Sequence, residues 1–239
     1  MRSIVAGSAA ALLLLAACGS DDNSSASAEA CDAWIAADDS IISLLFTGQG
    51  DADSVNAALD SAIAAAPDEI VDTITELQAT AQPQLEDPES DAPEETLQLY
   101  RDTIVWAGEN CDVETLEVTA VDYEFDGIPD ELTTGYHVLG FSNDGQEQHE
   151  IVAFEINEGV TESLDEIFAG PEEEIFGKIT PVNAAFAPPG ESDTVSWNLQ
   201  RPGNYAVICF IPVGSVGETE GDGPPHFVEG MVQEFTVTS

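Results

Sequence analysis

From Gly203 to Met231 the chain runs GNYAVICFIPVGSVGETEGDGPPHFVEGM, a strand-like segment that opens into a long loop. The stretch carries a thiol (Cys209), an imidazole (His226) and a thioether (Met231). A cysteine thiolate, histidine nitrogens and a weak methionine form the donor set that suits copper, and a Cys-plus-two-His site with a long axial Met serves electron transfer. A second imidazole is available at His149, which follows the turn-forming run Asn143-Asp144-Gly145 and opens the apolar run Ile151-Val152-Ala153-Phe154.

Outward from this stretch, residues 113–239 alternate in short runs bounded by turns, which predicts an all-β unit. Leu116, Val118 and Ala120 alternate, then the phase shifts to Val121, Tyr123 and Phe125, as in a strand with a bulge or kink. Further alternating sets are His137, Leu139 and Phe141; Val152, Phe154 and Ile156; Val195, Trp197 and Leu199; Tyr205, Val207 and Cys209; and Val232, Phe235 and Val237. Together they predict a Greek-key β-sandwich with its edges closed by the first and last strands. His137 shares a strand face with Leu139 and Phe141, which assigns it to the core. The acidic insert after residue 157 predicts a short helix over Glu162–Ala169 and a solvated cover, with no calcium-hand spacing.

The β half resembles the cupredoxin (type 1 blue copper) family. The resemblance lies in Asn143-x-Gly145 followed closely by His149, Pro189-Gly190, Gly203-x-Tyr205 four residues before Cys209, and His226 followed by Gly230-Met231. Four residues separate His226 from Met231, as in plastocyanin-like sites. The resemblance implies one type 1 copper per chain on His149, Cys209, His226 and Met231, and an exposed His226 edge for electron exchange beside the apolar run Gly223–Val228. One feature departs from the family: sixteen residues lie between Cys209 and His226, so the loop must fold out and return before it closes a site.

At the other end, residues 1–17 have the basic start, apolar run and small residues of an export signal, too short to span a bilayer. Leu15-Ala16-Ala17-Cys18 resembles a bacterial lipobox, in which Cys18 becomes the lipidated first residue. Residues 18–29 are polar and acidic, a disordered tether with a reach of about 20 Å. The expected location is the outer face of the cytoplasmic membrane or elsewhere in the cell envelope, with the membrane reached through the lipid alone.

Residues 30–112 show apolar positions at three- and four-residue intervals: Trp34, Ala37, Ile41 and Leu45; Val55, Leu59 and Ala62; Ile70, Ile74, Leu77 and Ala81; then Leu97, Tyr100, Ile104, Ala107 and Cys111. Asp91 with Glu94 predicts a capping-box start for the last of these. The reading is an antiparallel four-helix bundle preceding the sandwich, an α+β chain. In that topology the start of the first helix lies beside the end of the fourth, which pairs Cys31 with Cys111 in a disulfide worth about 4 kcal/mol. With Cys18 lipidated, Cys209 is left over, and a free thiol in an oxidising compartment is a liability unless a metal holds it.

Only 4 Lys and Arg face 47 Asp and Glu, a formal net charge of −43. Nucleic acid is excluded as a partner, and a basic redox protein is favoured. The chain has 3 histidines, too few for the additional copper centres of multicopper oxidases or copper nitrite reductases. No nucleophilic triad, zinc pair or phosphate loop is present, so the expected class is an electron-transfer protein and not an enzyme. The competing class is a non-redox binding or copper-handling lipoprotein on the same fold.

Overall fold

A computed structural model describes residues 26–239, apart from Glu218 and the side chains of Glu172 and Glu173. The export signal and Cys18 lie outside the described residues. Four helices come first: α1 (Ala28–Thr47), α2 (Ala52–Ala65), α3 (Val71–Glu86) and α4 (Glu94–Asn110). Ser27 caps α1 by accepting from the Ala30 amide at 3.1 Å, and Asp51 caps α2 through the Ser54 amide at 2.8 Å. Such caps satisfy amides that the first helical turn leaves unpaired. The fourth helix departs from expectation, because Pro93 stands at its N-cap and no side chain caps it. Proline supplies the right entry dihedral without a capping bond, and Asp91 falls outside the helix.

The predicted stripes bury one face of each helix. Trp34, Ala37, Ile41, Val55, Leu59, Ile74, Leu77, Ile104 and Ala107 share one core, which Tyr136 and Val138 enter from the sheet below. Successive helices pack on one another, while α1 and α4 also rest on strands of the sandwich. Cys31 and Cys111 form a disulfide with Cα atoms 5.7 Å apart, joining the start of α1 to the end of α4.

The sandwich follows as β1 (Glu114–Val121), β2 (Glu124–Asp126), β3 (Glu131–Thr133), β4 (Gly135–Asn143), β5 (His149–Ile156), β6 (Ile179–Ala187), β7 (Ser192–Leu199), β8 (Gly203–Ile208) and β9 (Val232–Thr238). One sheet has the order β2-β1-β4-β7 and the other β3-β9-β8-β5-β6. The first and last long strands are therefore interior, and the short β2 and β3 cover them, contrary to the expected edges. The phase shift after Ala120 is a hairpin instead of a bulge: β2 turns back on β1 in the register Val121↔Glu124 and Ala120↔Phe125. Between the sheets Leu139, Phe141, Val195 and Trp197 face Ile151, Ala153, Val207 and Phe235, and Trp197 stacks on Phe235 at 5.9 Å. Tyr205 of the Gly-x-Tyr pattern packs in this core while its hydroxyl donates to the Arg201 carbonyl at 2.9 Å. His137 is buried, with Nε2 2.9 Å from the Thr133 carbonyl.

The helical layer is fastened to the outer face of the first sheet by polar contacts. Asp38 is buried and accepts from the Tyr100 hydroxyl at 2.6 Å and the Ser196 hydroxyl at 2.5 Å. Asp39 accepts from Asn198 at 3.0 Å, and Arg101 donates to Asp193 at 2.7 Å. The insert after β5 holds α5 (Leu164–Phe168) and α6 (Glu172–Ile175). Its first helix begins at Leu164, two residues later than the expected start at Glu162, after an N-cap at Ser163 that forms a capping box with Glu166.

Candidate metal centre

Each proposed donor comes from a different structural device at one end of the sandwich. His149 opens β5, and the turn before it is fastened by Asn143, whose side-chain Nδ2 donates to the Glu147 and Ala187 carbonyls at 2.8 Å each. Cys209 follows the last residue of β8, and its amide donates to the Met231 carbonyl at 3.1 Å. His226 begins a 3₁₀ turn, His226–Glu229, and Met231 lies just beyond it, its amide donating to the His226 carbonyl at 3.1 Å.

The long loop returns by pairing with itself. Val213 donates to the Pro224 carbonyl at 2.9 Å, the His226 amide to Ile211 at 2.9 Å and the Phe227 amide to Cys209 at 3.0 Å. Pro212 and Pro225 bridge across the neck. The far part of the excursion lies against the residue before His149, because the Gln148 amide donates to the Ser215 carbonyl at 2.9 Å and its side chain to the Gly217 carbonyl at 2.7 Å. The extra residues therefore fold out and return to the site, and their far part forms a buttress beside it.

His149, Cys209 and His226 place ligand atoms within 4.8 Å of one another, and all three residues are 0% exposed. The two Nδ1 atoms lie 3.1 Å apart, and Cys209 Sγ lies 3.3 Å from His226 Nδ1. A single ion coordinated at about 2.0–2.3 Å, the range of N and S donors around zinc, can span such separations. Met231 is also 0% exposed. A soft thiolate with two imidazoles and a neighbouring thioether fits copper by donor chemistry.

Both imidazoles are held from behind. His149 Nε2 lies 2.7 Å from Asp122 Oδ1, and His226 Nε2 lies 3.1 Å from Glu147 Oε2. Asp122 also accepts from the Gln146 amide at 3.1 Å, and Glu147 accepts from the Tyr123 hydroxyl at 3.0 Å and from the Gly214 amide. A Cβ on Gly145 would fall 2.4 Å from Asp122 Oδ1 and 2.8 Å from His149 Nε2, so only glycine admits the first of these contacts.

Burial lowers the His149 pKa, with the Asp122 hydrogen bond opposing it. Burial alone would raise Asp122, but hydrogen bonds from His149 and the Gln146 and Glu147 amides outweigh it and hold the carboxyl below its ordinary value. Burial pushes the Cys209 thiol up to about 12. A metal ion is the usual means of holding such a group as thiolate.

The His226 edge differs from what the family resemblance implies. Glu147 stands over its Nε2, and the Tyr123 ring lies 4.7 Å from the imidazole centroid, so the edge is not open to solvent. Phe227 is half-buried against Phe168 and Phe210, at 5.8 and 5.7 Å, and the exposed apolar residue of the turn is Val228. Asp122 and Glu147 were not singled out by sequence reading, since nothing marks two carboxylates among 47. The positional signal for Asp122 was the phase break after Ala120, which a hairpin turns into a residue aimed at His149.

Fold and site together describe a two-sheet sandwich with a buried mononuclear metal-binding arrangement at one end. Among solved structures, the chain is similar to dithionite-reduced auracyanin from the photosynthetic bacterium Roseiflexus castenholzii, at 25% identity over 52% of this chain and 97% of that one, TM-score 0.36. It is also similar to auracyanin A, a "blue" copper protein of Chloroflexus aurantiacus, at 20% identity over 52% of this chain and 98% of that one, TM-score 0.35. No protein-family model matches the chain, and no curated protein sequence matches it.

Proposed function

We propose that the chain is a lipid-anchored electron carrier with one type 1 copper held by His149, Cys209, His226 and Met231. The observation that carries this reading is the convergence of two imidazole Nδ1 atoms and one thiol sulfur, all fully buried, at separations of 3.1 and 3.3 Å. Copper, when bound, supplies a one-electron couple between Cu(II) and Cu(I). The chain holds the donors on strand ends and a hydrogen-bonded loop, so that little rearrangement accompanies the change of charge, and it excludes water from the thiol.

Anchoring through Cys18 is supported by the lipobox-like run. Among the described residues no helix is long and apolar enough to cross a membrane. Export agrees with the Cys31–Cys111 disulfide, a bond that persists in oxidising compartments. The excess of carboxylates favours a basic redox partner, drawn by an attraction that salt screens over about 10 Å at 0.1 M.

Titrating the purified full chain with Cu(II) tests the reading. The expected result is one copper per chain with an intense visible thiolate-to-copper band, abolished by Cys209→Ser. An unchanged spectrum in that variant would remove the site, and near-colourless uptake by the wild type would favour the non-redox alternative.

A further inference from the structure

We infer that Asp122 and Glu147 are positioning residues for the metal: each carboxylate holds one imidazole by its outer nitrogen, and together they bias a bound copper toward Cu(II). The inference rests on the copper reading above.

The two contacts are alike in chemistry and come from different loops. Asp122 sits in the turn between β1 and β2, Glu147 in the loop between β4 and β5, and each reaches a different histidine, at 2.7 and 3.1 Å. Each is itself oriented by the other's loop. The Glu147 amide lies 3.4 Å from Asp122 Oδ1, while Tyr123, next to Asp122, donates its hydroxyl to Glu147. An imidazole that donates from Nε2 presents its Nδ1 lone pair inward, where the other Nδ1 and the sulfur lie. Carboxylates behind metal-bound histidines fix the tautomer and raise ligand basicity, and losing one commonly costs 10–100-fold in metal affinity.

The electrostatic consequence follows from burial. Both imidazoles are 0% exposed, and charges interact more strongly there than in water. Two negative charges just behind the ligands stabilise a doubly charged ion more than a singly charged one. Glu147 also occupies the place where the His226 edge would meet solvent. Carboxylates that only tied two loops together would leave affinity and potential unchanged on replacement by amides of the same shape.

The test compares Asp122→Asn and Glu147→Gln with the wild type in the full chain. The readouts are thermal unfolding, affinity for Cu(II) and for redox-silent Zn(II), and the reduction potential of the copper form. The expected result is a folded protein that keeps its visible band, binds both ions about tenfold more weakly per substitution, and is easier to reduce. With the affinity for Cu(I) unchanged, a tenfold loss for Cu(II) raises the potential by about 59 mV, the value for tenfold in a one-electron couple. Unchanged affinity and potential, or a fall in potential, would overturn the inference. Should Asp122→Asn fail to fold, Glu147→Gln decides. A wild type without the visible band would refute the copper reading instead, and the Zn(II) affinities would then decide the positioning role alone.

Discussion

A methyl group at Gly145 would drive Asp122 and His149 apart, because both partner atoms lie inside the distance a Cβ requires. Neither can withdraw freely: Asp122 is bonded to the Gln146 amide, and His149 is fixed as the first residue of a central strand. Gly145→Ala is therefore expected to cost about 1–3 kcal/mol of stability, the usual range for overpacking, and to weaken Cu(II) binding roughly tenfold. Denaturant unfolding and copper titration of the same sample check both, and unaltered values would show that the turn relaxes around the methyl. At this scale the sequence was legible where a residue type is rare. Three histidines and one unpaired cysteine could be assigned individually, whereas the carboxylates behind them were hidden in an acidic background.

Among the elements, the covalent link between α1 and α4 bears most directly on stability, since it closes a separation of 80 residues. Replacing Cys31 and Cys111 together by Ser is expected to lower stability by about 2–5 kcal/mol, measured by denaturant unfolding, while the copper band persists. Loss of the band on that replacement would mean that the helices shape the site. Peptide mapping without reductant should find Cys209 unpaired, as its buried, free state requires. Helix positions were readable because a 3.6-residue period is a long-range pattern: Trp34, Ala37 and Ile41 all proved buried. The turn at Asp122 and Tyr123 was not, because a hairpin and a bulge both shift the alternation by one residue. Nor did periodicity show that α1 and α4 rest on the sandwich, since Tyr136 and Val138 alternate with His137 and Leu139 on a strand buried on both faces.

For the molecule as a whole, the junction of helices and sandwich should respond to pH through Asp38. Burial raises its carboxyl above the ordinary 3.8, against the hydrogen bonds from Ser196 and Tyr100. The folded chain thus holds that proton more tightly than the unfolded chain does. The stabilisation is fully present below the unfolded value and is lost as pH rises through the raised folded one, at about 1.4 kcal/mol per unit of pKa difference. Asp38→Asn removes this loss, so the stability of the variant relative to wild type should grow between pH 4 and pH 7. Denaturant midpoints measured across that range check the sign, and a relative stability that falls with pH would contradict it.

The disulfide also fixes the pole from which the amino-terminal helix starts. Cys111 is joined to the start of α1 and is followed within three residues by β1, whose far end delivers Asp122 to His149. Eight residues of strand span about 25 Å, and β4 runs parallel to it, from Gly135 to the Asn143 turn beside the same histidine. The start of α1 and the candidate metal site therefore occupy opposite poles. Were the chain held at Cys18 as proposed, the metal site would lie at the pole farther from the point of attachment, within reach of a carrier that does not touch the bilayer.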